Sequence, residues 1–525
     1  MSKIVSRIKD IKLPDKKILI IFTLATAYFL FQHYMSLSWD FASYVENARY
    51  WFSDGSYLEP LRPPLMPFIL GILSIIGFRA AEFTYIIIAS ALFMHSSQKL
   101  ADSLNFDKVA FYALSLTPYI LINGLYNGTE LLSIAFLELS IAMMIKQRPI
   151  SGFYLGLSAL SRYTGLALFP LLFMIGNIKK IAGSLILFGI PLGLWFIYNY
   201  LKWGNFFTSI ADQYANNILY REYLIRPVEP IHFLIALNIF APFFIIGLGL
   251  EIYRSAKYIY SKKDSMIAGI KTAFEEKKAE LIMFAILVFA VISYSNIPIK
   301  DSRYLFTLTL PAIYYSYIGI RYLADKIKRP IATIAIILFI LSFSLVFVSE
   351  VAKIGSLPIT PITLHYDSPE KYLDSIEILK DKSLDNCSVM SNAWVLMNYL
   401  GQTSKDFPRQ QFVEDELDGG EIMVLFYSIG EPEYVQDKEF IKSLPTIHKT
   451  KEYIILGKET SCLQQEIVDS SYLEKLDDIL YRIDGTDINT NPCIILFGRR
   501  PLLEKSCNLV NFNGFRLDEN RWTGA

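Results

Sequence analysis

The stretch that decides the fold is ILIIFTLATAYFLFQHYMSLSWDFASYVENARYWF, residues 18–52. Its first part, Ile18 to Leu37, is apolar over about the twenty residues that a helix needs to cross a bilayer core. No small-residue cleavage site follows, so it reads as a signal anchor that stays in place. The second part has a different character. Phe41, Tyr44, Val45, Ala48, Trp51 and Phe52 recur at helical spacing, while Asp40, Ser43, Glu46 and Asn47 occupy the polar side. Such a helix lies along the membrane surface and holds Asp40 at headgroup depth, where a lipid phosphate sits.

Working outward, composition points the same way. Of 525 residues, 53% are hydrophobic and 19% charged, against about a quarter charged in a soluble chain. Fifty basic and fifty acidic residues leave no net charge, and nothing suggests a nucleic-acid partner. Candidate crossings run at roughly 18–37, 83–101, 109–125, 130–146, 180–200, 231–251, 280–296, 304–323 and 331–349. Two more come from 150–175, which the break at Ser161-Arg162-Tyr163 divides into short halves, giving eleven. The run 64–77 is short and follows Arg62-Pro63-Pro64, which suits a juxtamembrane helix rather than a crossing.

Charge bias orients this set. With the N-terminus in the cytoplasm, the cytoplasmic segments hold 23 Lys and Arg, and the external segments with the break hold nine. Counting 64–77 as a crossing would put the basic segment 254–278 outside, against the bias. The expectation is a multi-pass plasma-membrane protein with residues 351–525 outside the cytoplasm. All four cysteines, Cys387, Cys462, Cys493 and Cys507, lie in that tail, as an oxidising exterior would favour; three pairings are open.

The predicted external loops are long. Loop 38–82 is rich in aromatic and charged residues, loop 201–230 carries Asp212, Arg221, Glu222, Arg226 and Glu229, and 297–303 ends in Asp301-Ser302-Arg303. Loops of this kind suggest a site built at the interface, and no internal repeat supports an inverted-repeat transporter. In the tail, strand-like runs at Cys387–Met390, Ile422–Tyr427, Tyr453–Leu456 and Cys493–Phe497 alternate with helical patterns at 368–380, 393–400 and 471–481, which predicts an α/β domain.

Three stretches carry a resemblance. Asp40-Phe41 with Tyr44, Ala48 and Trp51 leads to Arg62-Pro63-Pro64-Leu65 and an apolar run ending Ile76-Gly77-Phe78. Gly156-Leu157-Ser158-Ala159-Leu160-Ser161-Arg162-Tyr163-Thr164 and Arg303-Tyr304-Leu305 with Pro311 follow in order. Over about residues 15–325 the chain resembles the GT-C superfamily of glycosyltransferases, in the branch of aminoarabinose transferases and protein mannosyltransferases that use polyprenyl-phosphate sugars. The implied architecture is mainly α: a polytopic GT-C-like core over 1–350, with a C-terminal extracytoplasmic α/β domain over 351–525.

The resemblance also implies a division of labour. A polyprenyl-phosphate-linked sugar is the donor, and a lipid, glycan or protein in or on the membrane is the acceptor. Asp40 matches the base that takes the acceptor's proton. Arg62 and Arg303, with Arg162, match cations that bind the donor phosphate and stabilise it as it leaves. Displacement from opposite sides of the anomeric carbon inverts it. Glu46, Asp54, Glu222 and Tyr304 stand as accessory candidates, and a divalent metal is compatible with the chemistry. Phe41 stands where many relatives carry a second acid, and Arg62 where the aminoarabinose branch has Lys. Plainer readings compete. Asp40 would serve as a helix cap, Arg62 as a residue snorkelling to headgroups, Arg162 as a structural counter-ion, and Asp301 as a local partner of Arg303. Glu130 and Glu138 read as helix-packing residues. Rival functions are a transporter or flippase for a lipid-linked substrate, with the same arginines and no base, and a non-catalytic membrane scaffold.

Overall fold

The structure is a computed structural model, and it describes residues 15–53, 55, 57–214, 228–261, 277–297, 302–351, 369–408, 410–430 and 432–458. The chain is an integral membrane protein. Among the described residues, five helical stretches are long and apolar enough to cross a membrane: α1 (Lys16–Met35), α9 (Ile178–Trp203), the pair α11 (Pro230–Leu237) and α12 (Ala241–Ser261) taken as Pro230–Tyr258, α13 (Lys278–Asn296) and α15 (Ile331–Val351). The remaining predicted crossings are helical but shorter or more polar. The physical reason is burial. In α7 (Glu130–Ile145) almost every residue is covered, and α4 (Phe78–Leu104) turns Ser96 and Ser97 onto Glu138 of α7. Helices shielded by neighbours can carry hydroxyls and carboxylates that a lipid-facing helix cannot.

One span differs from expectation, and one expected break is seen in detail. The predicted crossing 109–125 is two short helices, α5 (Lys108–Ser115) and α6 (Pro118–Asn123), because Thr117 caps Ile120 and Pro118 starts a new first turn. The break in 150–175 is present: α8 (Ser151–Ser161) ends at Arg162, which is extended at φ −150°, and a 3-10 helix occupies Tyr163–Met174. That helix folds back on α8, since a Cβ on Gly165 would stand 2.9 Å from the Ala159 backbone. The chain then returns to the end it left, where Lys180 donates to Gln147 at 2.9 Å. Serines fasten α8 on both sides, with Ser133 to Ser158 at 3.1 Å and Ser151 to Ser184 at 3.0 Å, the small-residue contact that membrane helices use.

The ends of α4, α7, α12 and α14 (Thr309–Ile327) and the start of α13 share one end of the bundle, around a charged cavity with Glu251, Lys278 and Arg321 in its wall. These are the segments that charge bias assigns to the cytoplasm. At the opposite end lie α2 (Trp39–Phe52) and α3 (Leu65–Leu73), a short helix as expected. On the polar side of α2, Ser43, Glu46 and Asn47 are all buried. They face the 57–62 segment and the C-terminal region rather than water.

That region holds α16 (Glu370–Asp381), β1 (Val389–Ser391), α17 (Trp394–Tyr399), α18 (Val413–Asp418), β2 (Ile422–Phe426), α19 (Lys438–Ser443), β3 (Thr446–Lys449) and β4 (Tyr453–Leu456). The strands form one sheet in the order β1-β2-β4-β3, parallel between β1 and β2 and antiparallel elsewhere. β3 was not foreseen, because its alternation is partly exposed. The predicted elements at 471–481 and Cys493–Phe497 lie outside the described residues. Alternate residues serve two cores: Val424 and Phe426 join the cluster continuous with the membrane helices, and Met423 and Leu425 a second one with Val413 and Ile441. Cys387 is disulfide-bonded; the other three cysteines lie outside the described residues.

Candidate active site

The site grows from the start of α2. Ser38 is the N-cap, its hydroxyl accepting from the Phe41 N–H at 3.5 Å. Asp40 is therefore not the cap. It stands in the first helical turn, where the free N–H groups favour an anion.

The segment after α2 is braced against it. Asn47 donates to the Glu59 carbonyl at 2.9 Å and accepts from the Glu59 N–H at 2.8 Å. This clamp, followed by the Arg62 N–H to Glu59 carbonyl turn at 3.1 Å, aims Arg62 back at α2. Arg62 Nη1 lies 2.8 Å from Asp40 Oδ1, its Nε 2.6 Å from Glu59 Oε2, and its Nη2 3.3 Å from the Ser43 hydroxyl. Far along the chain, the 3-10 helix Ser302–Leu308 delivers Arg303, with Nη1 3.2 Å from Asp40 Oδ2. Tyr119 holds the Arg303 carbonyl at 2.6 Å, and Tyr304 accepts from Arg303 Nη2 at 3.2 Å. Each oxygen of Asp40 thus has its own guanidinium.

Burial raises the Asp40 carboxyl, but the combined pull of Arg62 and Arg303 outweighs it and holds the group well below the usual carboxylate range. The cluster is not sealed. The side chains of Asp40, Arg62 and Arg303 are 24%, 16% and 30% exposed.

Arg162 stands one contact further away. It pairs with Glu130, and its guanidinium lies 4.6 Å from the centre of the Phe306 ring. Asn127 donates to Glu130 at 3.4 Å and accepts from Ser38 at 3.4 Å, tying this pair to the cap of α2. Glu130 is fully buried, and its Oε2 has no hydrogen-bond partner among the described residues.

The structure therefore brings together Asp40, Arg62, Arg303 and Tyr304, with Arg162 adjoining. Arg62 does not snorkel; it is ion-paired and largely covered. Glu46 is not in the group. It pairs with Arg49 at 2.7 Å, on the side of α2 that meets the C-terminal region. Asp54, Glu222 and Asp301 lie outside the described residues. Two residues were missed by sequence reasoning. Glu59 had a signal, its spacing three residues before Arg62. Glu130, read as a packing residue, had only its place at the start of a buried span. Among the described residues no group of three or more His, Cys, Asp or Glu is placed to hold a metal ion.

No protein-family model and no curated protein matches this chain. Among solved structures it is similar to ArnT from Cupriavidus metallidurans bound to undecaprenyl phosphate, with TM-score 0.51 and 12% identity, over 83% of this chain and 97% of that one. The same protein in its apo state gives 0.49 and 11% over the same shares. The oligosaccharyltransferase of Archaeoglobus fulgidus, in complex with Zn and sulfate, gives 0.46 and 11%, over 90% of this chain and 78% of that one. The first overlap shows that the fold is GT-C-like.

Proposed function

We propose that this protein is an inverting glycosyltransferase that moves a sugar from a polyprenyl-phosphate donor to a lipid, glycan or protein acceptor at the external membrane face. The observation that carries the reading is the convergence of Asp40, Arg62 and Arg303 from three distant segments. A structural relative holds undecaprenyl phosphate, which favours a polyprenyl phosphate as the carrier here.

In the free protein Asp40 is a poor base, because both its oxygens are engaged by cations. The donor phosphate, a diester with one negative charge on two free oxygens, competes with Asp40 for the guanidinium forks, and the carrier monophosphate that leaves gains a second charge that holds them more strongly. When Arg62 and Arg303 turn to the donor phosphate, Asp40 loses the pull that depresses it, and its basicity rises towards the working pH. The acceptor hydroxyl then gives its proton to Asp40 as its oxygen bonds the anomeric carbon. The bond from that carbon to the phosphate oxygen breaks on the opposite side, and its electron pair leaves with the carrier. Arg62 and Arg303 neutralise that charge, with Arg162 adding to the field.

The test is to incubate purified protein with a panel of polyprenyl-phosphate sugars and follow release of the carrier phosphate. Asp40→Asn should cut release at least about a hundredfold, the low end for a general base, while binding of the carrier phosphate is kept or tightened. Full activity in Asp40→Asn would sink the reading.

A further inference from the structure

The C-terminal region reaches the Asp40 cluster through one side chain. Trp394 opens α17, and its ring lies edge-on to Trp39, the residue directly before Asp40, with centroids 4.6 Å apart. The indole N–H also stands near the Tyr57 hydroxyl, where a donor favours the ionised phenol. From there a chain of contacts runs inward. The Tyr57 hydroxyl donates to Glu59 Oε1, Glu59 Oε2 accepts from Arg62 Nε at 2.6 Å, and Arg62 Nη1 meets Asp40 at 2.8 Å. Trp394, Tyr57 and Glu59 are only 7%, 6% and 6% exposed, so water is poorly placed to substitute for a missing member.

The other end of α17 is fastened as firmly. The Tyr399 hydroxyl donates to Glu82 Oε2 at 2.7 Å, and Arg49 of α2 donates to the Tyr399 carbonyl at 3.0 Å. Glu82, 1% exposed, is also met by His33 and by Arg79, each at 2.8 Å. A buried carboxylate at the end of a membrane helix therefore draws one of its donors from the C-terminal region. α17 is docked along α2 at both ends.

We propose that Trp394 is a positioning residue for the Asp40–Arg62 pair, so that the C-terminal region completes the site rather than merely standing beside it. The ring contact with Trp39 holds the first turn of α2, which sets Asp40. The indole beside Tyr57 steadies the Tyr57–Glu59 contact, and Glu59 sets the aim of Arg62. A guanidinium held on two sides by ordered acceptors is preorganised for its ligand, and loosening its outer support loosens the inner contact. The kinetic part of this inference rests on the glycosyltransferase reading; the positional part does not.

The two routes separate by mutation. Trp394→Phe keeps a ring against Trp39 and removes the N–H, Tyr57→Phe removes the next link, and Trp394→Ala removes both routes. With the full-length protein in detergent, Kd for undecaprenyl monophosphate, kcat and KM are measured on each. Trp394→Phe and Tyr57→Phe should each weaken binding about five- to tenfold, the size of one hydrogen bond, with kcat little changed. The double variant should bind no worse than about twofold below either single one, because both break the same chain. Trp394→Ala should lose kcat as well. A merely structural role would lower thermal stability without this split. Wild-type binding in both Phe variants, or losses that multiply in the double one, would overturn the proposal. Should the wild-type protein bind no undecaprenyl monophosphate, the glycosyltransferase reading fails and the positional claim is judged alone. Backbone amides in 39–62 should then exchange faster in Trp394→Ala than in wild type, and equal exchange would overturn it.

Discussion

Asp40 and Glu46 lie six residues apart on one helix, and they meet opposite fates. Asp40 has a guanidinium on each oxygen and a side chain 24% exposed. Glu46 pairs with a single cation among the described residues, Arg49, and its side chain is 5% exposed. At Asp40 the two cations outweigh burial, and the carboxyl is held well below its usual range. At Glu46 burial outweighs Arg49, with the like charge of Glu82 adding to it, and the carboxyl is pushed up to about 7. The lesson is one of ratio. A second guanidinium and a little water turn a buried acid from one that resists ionising into one that stays ionised. The first environment suits a phosphate-binding, proton-accepting site; the second suits a joint between two regions.

Substitution should separate the two carboxylates most sharply in turnover. The hundredfold loss or more expected of Asp40→Asn should have no counterpart in Glu46→Gln, whose turnover should stay within about twofold of wild type. Equal losses, measured by carrier-phosphate release, would remove the distinction. Next in size are the cations. Arg62→Ala and Arg303→Ala should each weaken binding of the carrier phosphate about ten- to a hundredfold, as expected for a charge-assisted hydrogen bond, whereas Arg49→Ala should leave it near wild type. A titration of undecaprenyl phosphate against the three variants checks this.

The smallest effect is on stability, and it depends on pH. Glu46 titrates at about 7 in the folded protein against an ordinary value of 4.5. As pH rises between these values the unfolded chain releases this proton first. The stability contributed by the neutral buried carboxyl is thus complete below the ordinary value and lost as pH rises through about 7. Glu46→Gln should match wild type near pH 5 and exceed it near pH 8, by an amount on the order of 1–3 kcal/mol. Thermal unfolding of the detergent-solubilised proteins at the two pH values measures it. A wild-type advantage at the higher pH would reverse the assignment of burial as the stronger influence on Glu46.

Much of the architecture was legible because it is written in local pattern. The twenty apolar residues of α1 announce a crossing, the 3.6-residue spacing after Trp39 announces α2, and the break at Arg162 is marked by polar residues between two apolar halves. The split at Thr117-Pro118 was there to be read as well, a capping residue followed by proline. The continuous hydropathy of 109–125 hides it. β3 escaped for the opposite reason: Thr446, Ile447, His448 and Lys449 have too weak an alternation to mark an edge strand.

The site divides along the same line. Sequence by itself determined the membrane character of the chain, the amphipathic helix carrying Asp40, and the presence of Arg62 and Arg303 at the same predicted face, since length, period and charge bias are properties of neighbouring residues. Tertiary structure alone decided the partners. It gave Asp40 two guanidiniums, one of them 263 residues away, set Glu59 behind Arg62, placed Glu130 against Arg162, and buried Glu46 and Trp394 in a joint with the C-terminal region. The physical reason is that hydropathy is an additive property that can be read residue by residue. The state of a buried carboxylate instead depends on which charges lie within a few ångströms and how much water remains, and folding sets both through contacts between segments far apart in the chain.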